Sequence, residues 1–402
     1  MEIEKRLLSH GQEHILRVWQ KAQGEEKAAL ERQIAAIDWD MLGLRESVRP
    51  CGKIEPISGI SAEELDKRKE ELFTIGAQTL REGKLAAVLL AGGQGTRLGS
   101  DKPKGAFDMG LTRHLPIFGL LMENLKAACA ACSAIVPLAV MTSAKNDGET
   151  RAFFKEHGFF GYPEEYVGFF VQDTAACVDF NGKLLLEEKN TLAAAPNGNG
   201  GWYTSLVRSG LLEREAFKTV QWFNVFAVDN VLQKIADPVF LGATLTSGCK
   251  TGAKVVKKVC PEERVGVLCL ENGVPRVVEY YELPSDMANA RDTDGELLYR
   301  YGVTLNYLFE KNKLEEIAGR GIPVHVVEKK IPYLDERGNK VVPERPNGYK
   351  FETLILDLVA LMGSCLPCEV VREREFAPVK NAQGVDSVET ARALLIKNGV
   401  EL

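Results

Sequence analysis

From Lys84 the chain enters Leu85-Ala-Ala-Val-Leu-Leu90, six residues without a polar break, and passes directly into Ala91-Gly-Gly-Gln-Gly-Thr-Arg-Leu-Gly99. A strand with one wet face alternates; an unbroken apolar run predicts a strand covered on both faces, as in a parallel sheet flanked by helices. The glycines then fall at the carboxyl edge of that strand, the place where open α/β sheets bind ligands.

The pattern repeats downstream. Residues 135–141 predict a second buried strand, and Val167–Val171 and 219–228 predict further strands of the same sheet. Pro116 can open a helix through Leu120, Leu121 and Leu125, and Gly158 can stop another. Strand and helix in alternation define an α/β fold class. Between 253 and 283 the strands shorten, with Asn272-Gly273 placed for a two-residue hairpin turn. Residues 305–318 predict a helix ahead of a strand at 323–327, and the segment after Val385 predicts another. The first 80 residues show apolar spacings near three to four, through Leu7, Ile15, Leu16, Leu30 and Ile34, and a capping-box pattern at Ser61-Ala-Glu-Glu64. They predict a helical preface.

A chain of 402 residues, 45% hydrophobic and 26% charged, can bury one large core and a smaller appendage. Its formal net charge of −6 excludes a general polyanion binder, because no wide basic face is available to neutralise a nucleic-acid backbone. Any phosphate must be held locally. The apolar runs are strand-length, too short to cross a membrane, and Met1-Glu2-Ile3-Glu4-Lys5-Arg6 reads as neither a signal nor a transit sequence. The expectation is a cytoplasmic protein with no nucleic-acid or membrane partner; oligomeric state is left open. Nine scattered cysteines fit reduced thiols better than a disulfide framework. Cys129/Cys132 and Cys365/Cys368 have CxxC spacing, which leaves a shared zinc site as the alternative to small buried core residues.

The glycine loop carries the chemistry. Gly92, Gly93 and Gly95 let backbone N–H groups approach phosphate oxygens without side-chain interference, and Arg97 and Lys104 add positive charge. Gly93, Gly95 and Gly99 give GxGxxxG, which is not the dinucleotide fingerprint, and the P-loop pattern is absent.

The loop, with Pro103-Lys104-Gly105 behind it, resembles the nucleotide-binding signature of the UDP-N-acetylhexosamine pyrophosphorylases, within the eukaryotic-type UDP-sugar pyrophosphorylases. The resemblance implies a Rossmann-like, GT-A-like mixed sheet flanked by helices. It implies nucleotide contacts from Ala91, Gly92, Gly93, Gln94, Gly95 and Thr96, and phosphate contacts from Arg97 and Lys104. Pro196-Asn-Gly-Asn-Gly-Gly201 is similar to the family's second glycine motif, which implies base contacts at Gly198 and sugar contacts at Asn199 and Gly200; an Asn-Gly surface turn is the alternative. Gln172 stands where the family reads uracil. Val225-Phe-Ala-Val-Asp229 resembles the family's metal-binding strand end, so Asp229 becomes a ligand for magnesium, or manganese, with helix capping as the alternative. Glu279 and Asn306 look like the sugar-binding glutamate and its partner near the acyl group, although Asn306 also fits a buried amide on a helix surface. Glu375-Phe-Ala-Pro-Val-Lys380 resembles the late lysine motif, whose lysine reaches the phosphates.

The division implied is a helical region at 1–80, a nucleotidyltransferase domain at 81–384 with a hairpin insertion near 253–283, and a carboxyl-terminal helix at 385–402. The usual member continues into a further β-rich domain, which is expected to be missing here. The implied reaction joins UTP to a sugar 1-phosphate, giving a UDP-sugar and pyrophosphate. The Gly-Gly-Gln-Gly form resembles that of enzymes taking an N-acetylhexosamine 1-phosphate, so N-acetylglucosamine 1-phosphate is the expected substrate, with glucose or galactose 1-phosphate as the alternative. A nucleotide-sugar-dependent glycosyltransferase and a non-catalytic UDP-sugar binder are the remote alternatives.

Overall fold

The computed structural model describes residues 2–44 and 52–402. Two compact units divide the chain, and neither is a continuous stretch: one comprises Met1–Pro50, Gln172–Gly201 and Ile322–Ile355, the other Cys51–Val171, Trp202–Gly321 and Leu356–Leu402.

The larger unit is built on a ten-stranded mixed sheet. Its main path runs Ile54–Glu55, Val267–Glu271, Tyr301–Glu310, Trp222–Ala227, Leu85–Leu90, Leu138–Thr142 and Val167–Val171. The last four are mutually parallel, while Tyr301–Glu310 runs antiparallel to Trp222–Ala227. Every residue of Leu85–Leu90, Leu138–Thr142 and Trp222–Ala227 is buried, including the polar Thr142 and Asn224, as strands covered on both faces demand. Val267–Glu271 and Val274–Val278 form the hairpin, with Asn272 at φ 51° and Gly273 at φ 79°, the two left-handed positions that a type I′ turn requires.

Helix Ile117–Cys132 follows Pro116, and helix Val388–Lys397 is opened by a reciprocal Ser387/Thr390 capping box. The structure corrects the expected helix at 305–318. Residues 301–310 are a strand, and the helix spans only Lys311–Ala318. Leu305 at φ 54° and a register shift opposite, between Ala253 and Val255, mark a bulge that breaks the alternation.

Helices Lys69–Arg81 and Pro238–Ser247 meet backbone to backbone. A Cβ on Gly76 would lie 1.9 Å from the Pro238 carbonyl oxygen, and one on Gly242 would lie 2.0 Å from that of Leu72. Propensity alone would make Gly76→Ala favourable by about 1 kcal/mol. The contact reverses the sign, and a loss of about 1–3 kcal/mol is expected in urea unfolding. A variant as stable as the parent would contradict this packing.

The smaller unit sets helices Glu2–Ser9, Glu13–Lys21 and Gly24–Ala35 with a three-stranded sheet of Val324–Lys329, Gly348–Thr353 and Val178–Asp179. Leu7, Ile15, Leu30 and Ile34 are buried in one core with Val178, Leu184 and Phe351. The expected helical region at 1–80 is thereby divided. Its later helix, Lys69–Arg81, places Leu72 and Leu80 in the larger unit's core beside Leu241. Among the described residues no helix is long and apolar enough to cross a membrane.

Candidate active site

Parallel pairing decides what emerges together at the sheet edge. Leu90 is in register with Ala227 and with Met141, so three chain segments leave the larger unit's sheet side by side. The first is the glycine loop, the second leads to Asp229, and the third leads to Asn146.

The loop is folded by its own backbone. Gly95 N donates to Lys102 O at 2.9 Å, Ser100 N to Gly95 O at 3.1 Å, and Lys104 N to Gly93 O at 3.2 Å. Gly99 adopts φ 75° at the end of the short 3-10 turn Thr96–Leu98. Gly93 has open space where a Cβ would stand, whereas Gly95 would meet Lys102 O and the Ser100 Cβ at 3.1 Å. The Gln94 amide, with its nitrogen turned toward them, donates to the Asp101 and Lys102 carbonyls at 3.0 and 3.3 Å, so this side chain braces the loop. Asn146, fully buried, donates to Ala91 O at 2.9 Å and accepts from Ser143 N at 2.8 Å. Nothing in the glycine motif points to Asn146; the Ser-x-x-Asn spacing after the strand Leu138–Thr142 was the available signal.

Lys104 extends from this loop toward Asp229. Its Nζ lies 3.9 Å from Asp229 Oδ2, with the side chains 15% and 27% exposed. Burial pushes the Lys104 ammonium below the usual lysine range; Asp229 pulls it back, and the nearby Lys380 and Arg97 push it further down. Lys104 is thus close to one carboxylate and within electrostatic reach of two further cations, an arrangement that favours an incoming anion.

Lys380 reaches the group because its segment is stitched to the Asp229 strand end. Val379 N donates to Asp229 O at 2.8 Å, and Asn230 pairs with Pro378 as an antiparallel bridge. The buried Asn230 amide donates to Glu375 O at 2.8 Å and accepts from Ala377 N at 2.9 Å. Below this, the buried Lys254 Nζ bonds Asp237 Oδ2 at 2.8 Å and Glu375 Oε2 at 2.6 Å. Burial disfavours its charge, but Asp237 and Glu375 outweigh that and hold it above the ordinary lysine range.

Asp229 is the strand-end carboxylate of this cluster. Its 3.9 Å separation from Lys104 is longer than a hydrogen bond, so it keeps lone pairs for a cation. Among the described residues no group of three or more His, Cys, Asp or Glu could hold a metal. The donor set therefore fits an ion completed by phosphate oxygens and water, as magnesium permits, and not an all-protein cage. The CxxC pairs are buried thiols, with Cys129/Cys132 on a helix and Cys365/Cys368 on a strand.

Glu279 follows the strand Val274–Val278, and its Oε2 lies 3.8 Å from where a Cβ on Gly266 would stand, next to Val277 and Val303. Asn306, expected either near the sugar's acyl group or as a buried amide, lies on the strand Tyr301–Glu310 as a buried cross-link. It is 0% exposed, accepts from Asn224 Nδ2 at 2.7 Å, and donates to Lys234 O at 3.2 Å. Its amide is thus engaged inside the strand layer.

In the smaller unit the second glycine motif packs on a strand end. Gly198, at φ 85°, would drive a Cβ to 2.1 Å from Thr353 O, and Gly200 to 2.8 Å from Leu354 N. Thr353 N donates to Asn197 O at 2.7 Å, and Asn199 Oδ1 accepts from Ile355 N at 2.9 Å. Gln172 opens the segment of this unit that ends at Gly201.

A glycine-rich turn off a buried parallel strand, with cations gathered at a strand-end carboxylate, is the equipment of a polyphosphate-handling α/β protein. The sequence matches the family described as UTP–glucose-1-phosphate uridylyltransferase over residues 32–398. UDP-N-acetylhexosamine pyrophosphorylase-like protein 1 of Homo sapiens is 38% identical, covering 98% of this chain and 83% of that protein. UDP-N-acetylglucosamine pyrophosphorylase of Saccharomyces cerevisiae is 35% identical, over 86% of this chain and 76% of that one. The crystal structure of the uridine diphosphate N-acetylglucosamine pyrophosphorylase from Trypanosoma brucei, in complex with inhibitor, matches with TM-score 0.83 at 30% identity, covering 98% and 84%. The chain belongs to the UTP–glucose-1-phosphate uridylyltransferase family, among its UDP-N-acetylhexosamine pyrophosphorylases.

Proposed function

We propose that this chain is a nucleotidyltransferase that joins UTP to N-acetylglucosamine 1-phosphate, forming UDP-N-acetylglucosamine and pyrophosphate. The observation that carries this is Lys104, set beside Asp229 at the glycine loop and within electrostatic reach of Lys380 and Arg97. The choice of sugar is supported by relatives at 30–38% identity whose names specify N-acetylhexosamine or N-acetylglucosamine.

A phosphate monoester has a second pKa of about 6 and is largely dianionic at neutral pH, so the attacking oxygen needs no general base. What remains is alignment and neutralisation of charge as the sugar phosphate meets the α-phosphorus in line. The loop amides from Gly92 to Gln94, ahead of Gly95 whose N–H is engaged by Lys102 O, and the Lys104 ammonium hold the triphosphate, with Arg97 adding charge. Lys380 meets the incoming phosphate or the crowded α-phosphate. Asp229 would hold magnesium, or manganese, jointly with phosphate oxygens, and the bound ion would offset charge on the departing pyrophosphate. Gln172, Gly198, Asn199, Gly200 and Glu279 remain the proposed base and sugar contacts. Location in the cytoplasm is part of the proposal, supported by eight free thiols among the described residues.

The test is pyrophosphate release from UTP with a panel of sugar 1-phosphates. N-acetylglucosamine 1-phosphate is expected to give the highest kcat/KM, with glucose and galactose 1-phosphates lower by about 10–200-fold, the range a small pocket difference supplies. Preference for glucose 1-phosphate would reassign the sugar, and UDP-sugar binding without pyrophosphate release would remove the enzyme.

A further inference from the structure

The loop from Lys380 to Ser387 closes on itself. Lys380 N and Asn381 N both donate to the Asp386 carbonyl, at 2.7 and 3.1 Å, and Val388 N returns to Asn381 O at 3.1 Å. Asn381 Nδ2 donates to Val385 O at 3.0 Å. Both ends are pinned, the first through Val379 to Asp229, the second through the buried Ser387 that caps helix Val388–Lys397.

Held this way, Asp386 adopts φ 53°, a left-handed conformation that aspartate and asparagine tolerate better than most residues. The turn brings its carboxylate back onto the lysine, with Oδ2 3.0 Å from Lys380 Nζ. A lysine arm is flexible, and repulsion from Lys104 would favour conformers in which Lys380 points into solvent. A carboxylate built into the same turn opposes that. Both side chains remain partly exposed, at 37% and 28%, so phosphate oxygens of higher charge can displace the carboxylate.

We infer that Asp386 is a positioning residue for the reaction proposed above: its carboxylate keeps the Lys380 ammonium at the strand-end cluster until substrate phosphates take it over. The inference rests on that functional reading, but its test separates the two.

Asp386→Asn preserves shape and tolerance of the left-handed backbone while removing the charge, and Asp386→Glu restores a carboxylate on a longer arm. Pyrophosphate release from UTP and N-acetylglucosamine 1-phosphate is measured for wild type and both variants, with UTP affinity by calorimetry and the urea midpoint alongside. For Asp386→Asn, kcat is expected to fall roughly 10-fold or more, as misplacement of a catalytic group does, while UTP affinity and midpoint hold. Asp386→Glu is expected to recover part of the lost kcat. Wild-type kcat in Asp386→Asn overturns the inference alone. Parallel losses of kcat, affinity and midpoint in both variants also overturn it, since they describe a structural turn. A wild type that releases no pyrophosphate overturns the reaction reading, and the inference falls with it.

Discussion

Lys104→Ala is expected to lower kcat for pyrophosphate release by about 10²–10³-fold, the loss that follows removal of one preorganised donor aimed at transition-state charge. The side chain contributes little to the core, since it points at Asp229 across 3.9 Å without forming a close hydrogen bond. Circular dichroism and the urea midpoint should therefore match wild type. Its neighbours define the size of the effect: removing Lys104 leaves Asp229 facing the triphosphate with one cation fewer. Turnover within a few-fold of wild type would show that the triphosphate is held elsewhere.

The second large effect is one of stability. Lys254 is 2% exposed and bonds two carboxylates, Asp237 and Glu375, of which the latter is also met by Lys234 Nζ at 3.0 Å. Lys254→Met removes the cation and leaves both carboxylates buried, so a loss of about 3–5 kcal/mol is expected in urea unfolding. Burial alone would raise the Asp237 carboxyl, but Lys254 and Lys234 hold it below the usual aspartate range. Its stabilising contribution is complete above the unfolded-state pKa and is lost as pH falls through the lower folded-state pKa. The triple variant Lys254→Met, Asp237→Asn, Glu375→Gln should recover much of the loss, because no unpaired charge is left behind. A single variant as stable as wild type would mean that the ion cluster bears no structural load. Since Glu375 anchors the segment carrying Lys380, turnover should fall with stability in the single variant and return in part in the triple.

These two lysines also show what a sequence discloses. Lys104 was legible because a strand-like run, a glycine loop and Pro103-Lys104-Gly105 sit within one short stretch, and local chemistry predicts local structure there. Lys254 was not, because its partners are separated by 17 and 121 positions and meet only through the sheet. The parallel core read correctly from residues 85–90 and the hairpin from Asn272-Gly273. At Leu305 a bulge disrupted the strand period, and the apolar positions 305, 308, 314 and 317 imitated a helix. That imitation sets Asn306 on a helix, whereas it is a buried amide on a strand. The smaller unit draws on three separated stretches, so no composition change along the chain announces it. Asp386 was hidden for a different reason: only its left-handed backbone turns the carboxylate toward Lys380.

In the proposed reaction the loop amides and the nearby cations cradle a uridine triphosphate. A crystal structure of the protein grown with UTP and magnesium tests it most directly. The β- and γ-phosphates are expected against the backbone from Gly92 to Gln94, with Lys104 Nζ within hydrogen-bonding distance of a phosphate oxygen. Nucleotide bound at another place, with the glycine loop and Lys104 unchanged, would contradict it.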